Sequence, residues 1–382
     1  MSAIRKRLYY LWKKSSEKQR RKKYTNIYFK EEIERFNASE DRKPQSLIRQ
    51  EMKALQNYWD CFPYQYYRFD MYRNDCTLSI EEMKKYVPYY FSYNLFFPIS
   101  AKEYEVLCDD KLLTYAMLKT YNTLQPKMLF GFDSNSFYDD TNTPVSNVQV
   151  DAIIKASTAA KLFIKPRFGL GGKGIAVFTR KDNELINAEG KVLDHSFFLN
   201  ELTGGVYIVQ EGLVQHQSIS AIYPHSINTF RVITECVNGE PRVLYALLRM
   251  GRGGKQVDNA SSGGVYTKLD PLTGTLGDYA IANNRVVFKA HPDTKFVFKD
   301  SKMESWTEVK RFALVVAKKF REIKYIGWDI GLSPEGPTII EINKRPDMEM
   351  IQDFYGGIRD DLKIKPKDWW YRSDFTLKNI KP

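Results

Sequence analysis

Apolar and polar positions along this chain keep two different periods. Short apolar runs at 162–164 (LFI), 175–178 (IAVF), 206–214 (VYIVQEGLV) and 244–249 predict strands, and 227–235 (INTFRVITE) alternates as a half-buried strand does. A further pair of strand-like runs within 325–343 flanks the turn Ser333-Pro334-Glu335-Gly336. Helical spacing governs other segments. Residues 110–119 place Leu112, Leu113, Met117 and Leu118 on the inward face, with Asp109 or Asp110 as cap. Residues 148–160 read as a short amphipathic helix, and 307–323 turn Val309, Phe312, Ala313, Val316, Ala317 and Phe320 to one side. Ser79 with Glu82 forms a capping box, so a helix starts near Ile80 and stops before Pro88. From 24 to about 97 the pattern is mainly helical and crowded with aromatics, read chiefly as core. Residues 130–146, rich in Asp, Asn and Ser, read as loop.

With 382 residues, 43% hydrophobic and 27% charged, the chain suits a soluble, globular protein of two or three subdomains. No run approaches the roughly 20 apolar residues of a membrane span, and no apolar signal-peptide core opens it. Cys61, Cys76, Cys108 and Cys236 show neither metal-ligand pairing nor a dense disulfide pattern, which makes a reducing cytoplasm the simpler expectation. The net charge of +12 is concentrated: residues 1–23 hold ten Lys/Arg against Glu17 alone. Ile4, Leu8, Leu11 and Trp12 share a helical face there. Such a tail suits an anionic membrane surface, and equally a solvated helix packing its stripe on the protein itself. RNA ranks third, and the body gives no reason to invoke nucleic acid.

The candidate chemistry begins at 161–180 (KLFIKPRFGLGGKGIAVFTR). Gly169, Gly171, Gly172 and Gly174 fall within six residues, and glycines let backbone N–H groups approach a phosphate closely. A dinucleotide fingerprint would open a helix, but β-branched and aromatic residues follow. Ile175 stands where a Walker loop needs lysine. Strand–loop–strand remains, either a phosphate-covering flap or an ordinary glycine-rich hairpin. Gln210 and Glu211 end a buried strand, where they can meet an adenine edge or merely cap the strand. Arg231 on an apolar strand needs an anion, from phosphate or an internal carboxylate. Residues 257–267 form a second small-residue loop offering donors from Asn259, Ser261, Ser262, Gly263 and Gly264. Pairing about the 333–336 turn sets Asp329 across from Glu341, and Asn343 shares the face of Glu341. Three oxygen donors without His or Cys suit Mg²⁺ or Mn²⁺. A solvated sheet-edge pair fits poorly, because Glu341 sits among Ile339, Ile340 and Ile342.

Taken in order, Lys165, the Gly169–Gly174 hairpin, Gln210-Glu211, Arg231, Asn259 with Gly263-Gly264, and Asp329…Glu341-Ile342-Asn343 resemble the ATP-grasp superfamily over roughly 105–350. The INTFRV and VDNASSGGVY wording is similar to its sugar-transfer-associated branch. The resemblance implies an α+β, ATP-grasp fold, with two subdomains clasping a nucleotide beneath the glycine lid. Its boundaries would be 1–23 (basic tail), 24–104 (helical region), 105–215 (subdomain with lid), 216–360 (subdomain with metal site) and 361–382 (C-terminal tail). By the same resemblance, Lys165 contacts the α/β-phosphates, with Lys111 as a second phosphate lysine. Glu211 and the Leu213 backbone take the adenine, and Arg231 stabilises the transferring phosphoryl group. Asn259 helps orient it, and Asp329, Glu341 and Asn343 hold the metals. His216 and Gln217 stand where the ribose-binding acid is often found.

The implied reaction is ATP-dependent carboxylate–amine ligation through an acyl phosphate, joining an amine or amino acid to a carboxylated sugar or glycan precursor in bacterial surface-polysaccharide synthesis. A kinase acting on a hydroxyl is the alternative, and a nucleotide-gated scaffold ranks third. The expected setting is the cytoplasm, at the inner face of the membrane if the tail binds there.

Overall fold

The computed structural model describes residue 15 and residues 30–97, 102–169, 174–283 and 285–368. Apart from Ser15, the basic segment expected to meet a membrane lies outside the described residues, as do Gly171 and Gly172. The chain divides into two compact units, one of 1–100 with 347–382 and one of 101–346.

Helices dominate the first unit. The helix Gln45–Trp59 buries Ile48, Leu55 and Trp59, and its core continues through Tyr66, Met71, Tyr72 and Met83. The aromatic clusters are therefore core, as their density suggested. Ser79 and Glu82 make the capping box, starting the helix at Ile80. The returning helix Met348–Tyr355 is sewn in by polar contacts. The Gln352 side chain accepts from the Val87 N–H at 2.7 Å and donates to the Val87 carbonyl at 3.1 Å. Arg68 pairs with Asp353 at 2.8 Å, both out of solvent.

Two seven-stranded sheets, antiparallel in every pairing among the described residues, make the second unit. The first runs β3 (Pro144–Val145), β2 (Ser136–Tyr138), β1 (Met128–Asp133), β7 (Val206–Glu211), β4 (Lys161–Pro166), β5 (Ala176–Lys181), β6 (Glu184–Ile186). The helices Asn147–Ala156 and His195–Glu201 share its core of Phe130, Phe132, Phe137, Val150, Ile154 and Phe198. The second runs β12 (Val287–Phe288), β11 (Leu276–Ala282), β10 (Val265–Leu269), β9 (Glu240–Met250), β8 (Thr229–Val237), β13 (Tyr325–Ser333), β14 (Gly336–Asn343). The helix Trp306–Lys319 covers it, burying Val309, Ala313, Val316 and Ala317 in a core that includes Phe230 and Trp328.

Two expectations change. Residues 130–146 are not loop: they hold most of β1, all of β2 and all of β3. The polar residues there are turns, with Ser134 and Asn142 at positive φ, and Phe130, Phe132 and Phe137 fill the core between them. In the helix Lys111–Thr120, Leu112 and Leu118 are buried, but Leu113 is exposed. Leu113 lies next to Leu112 in sequence, about 100° away around the helix, so the two cannot share the face that Leu112 buries.

Phe198 is fully buried and its ring meets those of Phe130, Phe132 and Phe137. Phe198→Ala should destabilise this unit by about 3–5 kcal/mol, read as a lowered denaturant midpoint for the unit's transition.

Candidate active site

The second sheet sets the register of the site. In β13, Asp329 pairs with Arg231 of β8 on one side and with Glu341 of β14 on the other. A register shift follows Asp329, as a β-bulge does where a strand re-aims a side chain. Gly327 pairs with Asn343, two residues on from Glu341. The three oxygen-bearing side chains thus gather at one end of the hairpin.

Asp329 is buried and clasped from two strands. Arg231 donates its Nε to one carboxylate oxygen and an Nη to the other at 3.0 Å. Arg249 of β9 donates to the second oxygen at 3.0 Å, and the Asn343 amide adds a long contact of 3.4 Å. Burial opposes a charge on Asp329, but the two guanidiniums outweigh it and hold its carboxyl below the usual range. The other Arg249 Nη reaches the 251–264 loop, at Asp258 (3.3 Å) and the Asn259 side-chain oxygen. That loop packs tightly: a Cβ on Gly264 would come within 2.4 Å of the Asp258 carbonyl, and Gly263 turns at φ +93°. Glu341 is unlike Asp329. Its carboxylate has no hydrogen-bond or ion-pair partner among the described residues. Burial and the nearby Asp329 push its pKa up, against the pull of Lys111, Arg231 and Arg249.

Two lysines face this cluster, one on the first sheet and one opening the helix Lys111–Thr120. Lys165, near the end of β4, donates to the Gln210 side chain at 2.9 Å, and Gln210 donates to the Pro126 carbonyl at 3.3 Å. Burial drops the Lys165 pKa to about 8, with Lys111 adding repulsion and Glu341 opposing. Lys111 donates to the Gly169 carbonyl at 2.7 Å at the base of the glycine hairpin, and burial lowers its pKa too. Asp110 fixes both elements. It caps the helix Lys111–Thr120 and takes two hydrogen bonds from Arg167, at 2.7 and 2.6 Å. Just past β14, Arg345 binds Glu105 at 2.6 Å and Lys344 reaches Asp109, which brings the approach to Lys111 alongside the end of β14.

One cleft holds these groups together. Lys111, Lys165, Gly169, Gln210, Glu211, Leu213, Arg249, Asp258, Asn259, Asp329 and Glu341 line it, with Phe163, Ile175, Ile208, Ile339 and Ile342 as apolar wall. Arg231 sits behind Asp329, Asn343 lies beside it, and Gly174 is exposed at the hairpin's far side. Glu211 accepts from Ser157 at 2.9 Å. Arg249, Asp258, Arg167 and the Lys344–Arg345 clamp were not singled out from sequence. Arg249 carried the same signal as Arg231, an arginine at the end of an apolar strand run.

Among the described residues no group of three or more His, Cys, Asp or Glu could hold a metal ion. An oxygen-preferring divalent cation needs less, since such ions keep waters and phosphate oxygens as ligands. Unpartnered Glu341, neighbouring Asp329 and the Asn343 side chain fit that demand, provided Asp329 yields part of its arginine contact.

Lys165 titrates in the folded protein near 8 instead of its usual 10.5. Below pH 8 folding therefore carries the full burden of its buried charge, and that burden fades as pH rises through 8 to 10.5. Lys165→Met should raise the melting temperature at pH 7, with the gain shrinking towards pH 10, as thermal denaturation across that range would show.

A model of the family described as "sugar-transfer associated ATP-grasp" matches residues 91–360. No curated protein matches. Among solved structures, the ADP complex of purK, an N5-carboxyaminoimidazole ribonucleotide synthetase, is 13% identical with TM-score 0.37, covering 63% of this chain and 46% of its own. This chain thus spans about half that relative's length. A D-alanine–D-alanine ligase from Bacillus anthracis is 12% identical with TM-score 0.36 (69% and 68% covered). The VanG D-Ala:D-Ser ligase from Enterococcus faecalis is 14% identical with TM-score 0.38 (67% and 61% covered). The family match extends over well more than half of the chain and takes in the glycine hairpin, both sheets and the Asp329–Glu341 hairpin, so the chain belongs to the sugar-transfer-associated ATP-grasp family.

Proposed function

We propose that the chain is an ADP-forming, ATP-dependent carboxylate–amine ligase that joins an amine or amino acid to a carboxylated sugar or glycan precursor in bacterial surface-polysaccharide synthesis. One observation carries this reading. Two lysines with lowered pKa values converge with Glu341 and the clasped Asp329 on one cleft that also has an apolar wall. Buried ammonium groups that repel one another are stabilised by a polyanion, and a triphosphate supplies one. The apolar wall, closed by Phe163 and Leu213 below the Glu211 strand end, suits a flat base.

In this reading Lys165 and Lys111 hold the phosphate chain, and the hairpin rising from Gly169 covers it. A divalent cation held by Asp329, Glu341 and Asn343 would neutralise charge on the phosphates. A substrate carboxylate oxygen attacks the γ-phosphorus, the bond to the β-phosphate oxygen breaks, and ADP leaves. Arg249 and Arg231 stabilise the charge spread over the transferred group. The amine then attacks the acyl carbon, loses its proton to solvent or a cleft base, and expels phosphate. No protein nucleophile is required. Positioning in a water-poor cleft supplies the rate. Asn259, held by Arg249, orients the acceptor side.

Isotope transfer tests the reaction. With ¹⁸O in the substrate carboxylate, the phosphate released should carry one ¹⁸O and the nucleotide product should be ADP. A phosphorylated acceptor with no free phosphate would identify a hydroxyl kinase instead, and AMP would overturn the acyl-phosphate route. In a screen of amino acids against uronic acids, Glu341→Gln and Lys165→Ala should each lower ADP release at least 100-fold with unchanged circular dichroism. Wild-type rates in either would show that the site lies elsewhere.

A further inference from the structure

The first unit holds a cavity of its own. It measures about 520 Å³, inside the roughly 300–1,000 Å³ of small-molecule sites. Ala54 and Pro366 give it an apolar wall, and Asn57, Tyr58, Lys84, Lys365 and Lys367 supply the polar groups. Among the described residues no carboxylate lines it. Lys365 and Lys367 are exposed and have no ion pair among the described residues. Lys84 is held by Glu81 at 2.5 Å.

Tyr58 is prepared as a donor. Arg359 donates to its phenol oxygen at 2.9 Å, and the Arg359 guanidinium and Lys84 ammonium each lie 5.5 Å from its ring centroid. The oxygen is thus engaged as acceptor, which leaves its hydrogen to point at a guest. Arg359 is itself balanced by Asp360 at 2.7 Å. Around the cavity, then, two ammonium groups lack compensation, and Asn57, Tyr58 and Lys84 stand beside them. Like charges gathered round a concavity repel one another and focus positive potential into it.

We propose that this cavity is a phosphate-binding site, separate from the nucleotide cleft, that takes the phosphate or diphosphate end of a ligand. Two unpaired ammonium groups match the roughly two charges of a phosphate monoester better than the single charge of a carboxylate. A phosphate's several oxygens can also accept from the phenol and the amide at once. Lysines bind phosphate as point charges, so the affinity falls as salt rises.

Isothermal titration of the full chain with inorganic pyrophosphate at low salt tests the site. Pyrophosphate could also enter the nucleotide cleft, so the comparison is made in the Lys165→Gln background. Pyrophosphate should still bind there, and adding Lys365→Gln with Lys367→Gln, both at exposed positions, should weaken it at least fivefold. No binding in the Lys165→Gln protein, or a smaller change on adding the pair, overturns the proposal. Sedimentation with phosphatidic acid vesicles then identifies the source. Weaker vesicle binding by the paired variant means a lipid headgroup, and unchanged vesicle binding alongside lost pyrophosphate binding means a soluble phosphate ester.

Discussion

A single carboxylate caught between two guanidiniums organises this protein's cleft. Asp329 sits on β13, Arg231 on β8 and Arg249 on β9, three neighbouring strands, and all three side chains are buried. Bringing such charges out of water is costly, and apolar residues of the same size often serve stability as well or better. What the cluster adds is definition. A slip of one residue in any of these strands would turn its charge into the opposite face, leaving an unpaired ion in the core. The clasp therefore locks the register that sets Glu341 across from Asp329. Through Arg249 it also ties the 251–264 loop to the same point.

The cleft built on that register is unbalanced by intent of its sequence. Lys111, Lys165, Arg231 and Arg249 face Asp329 and Glu341. Burial depresses both lysine pKa values, with Lys111 adding repulsion at Lys165, while Glu341 moves the other way under the influence of burial and Asp329. Groups held away from their ordinary protonation equilibria on facing walls of one cleft are what a site awaiting charged ligands presents. An anion there would stabilise the charged lysines, and a cation would stabilise the ionised form of Glu341.

Much of this was legible because the chemistry sits on strands with strong patterns. The period-two alternation in 227–235 put Arg231 on one face, and the Ser333–Gly336 turn fixed which residues of β13 and β14 meet. The glycine spacing marked the hairpin, and its strand–loop–strand form followed from the β-branched residues after Gly174. Long-range pairings were not legible. Nothing local in Arg249 says that it shares Asp329 with Arg231, and the Asp110–Arg167 bond joins positions 57 apart. Residues 130–146 were misread for a related reason. Their turn residues dominate the composition, while the phenylalanines that make them strands gain their meaning only from Phe198, far along the chain. Expecting Leu113 inward credited it for its apolarity alone, although its position around the helix places it off the buried stripe.

The same long-range ties anchor the segment that leads into the glycine-rich stretch. The flap's tip is glycine-rich, but its base is held at two points. Arg167 grips the carboxylate that caps the helix Lys111–Thr120, and the first residue of that helix grips the Gly169 carbonyl. Because Asp110 both caps the helix and anchors Arg167, the helix cannot shift without moving the root of the flap. The Lys344–Arg345 clamp on Asp109 and Glu105 couples the same helix to the end of β14, where Glu341 and Asn343 lie. Constraint at the root of that stretch is thus a consequence of one helix N-terminus. Its cap, its first lysine and the acidic residues before it connect the base of the glycine-rich stretch to the carboxylates of the opposite sheet.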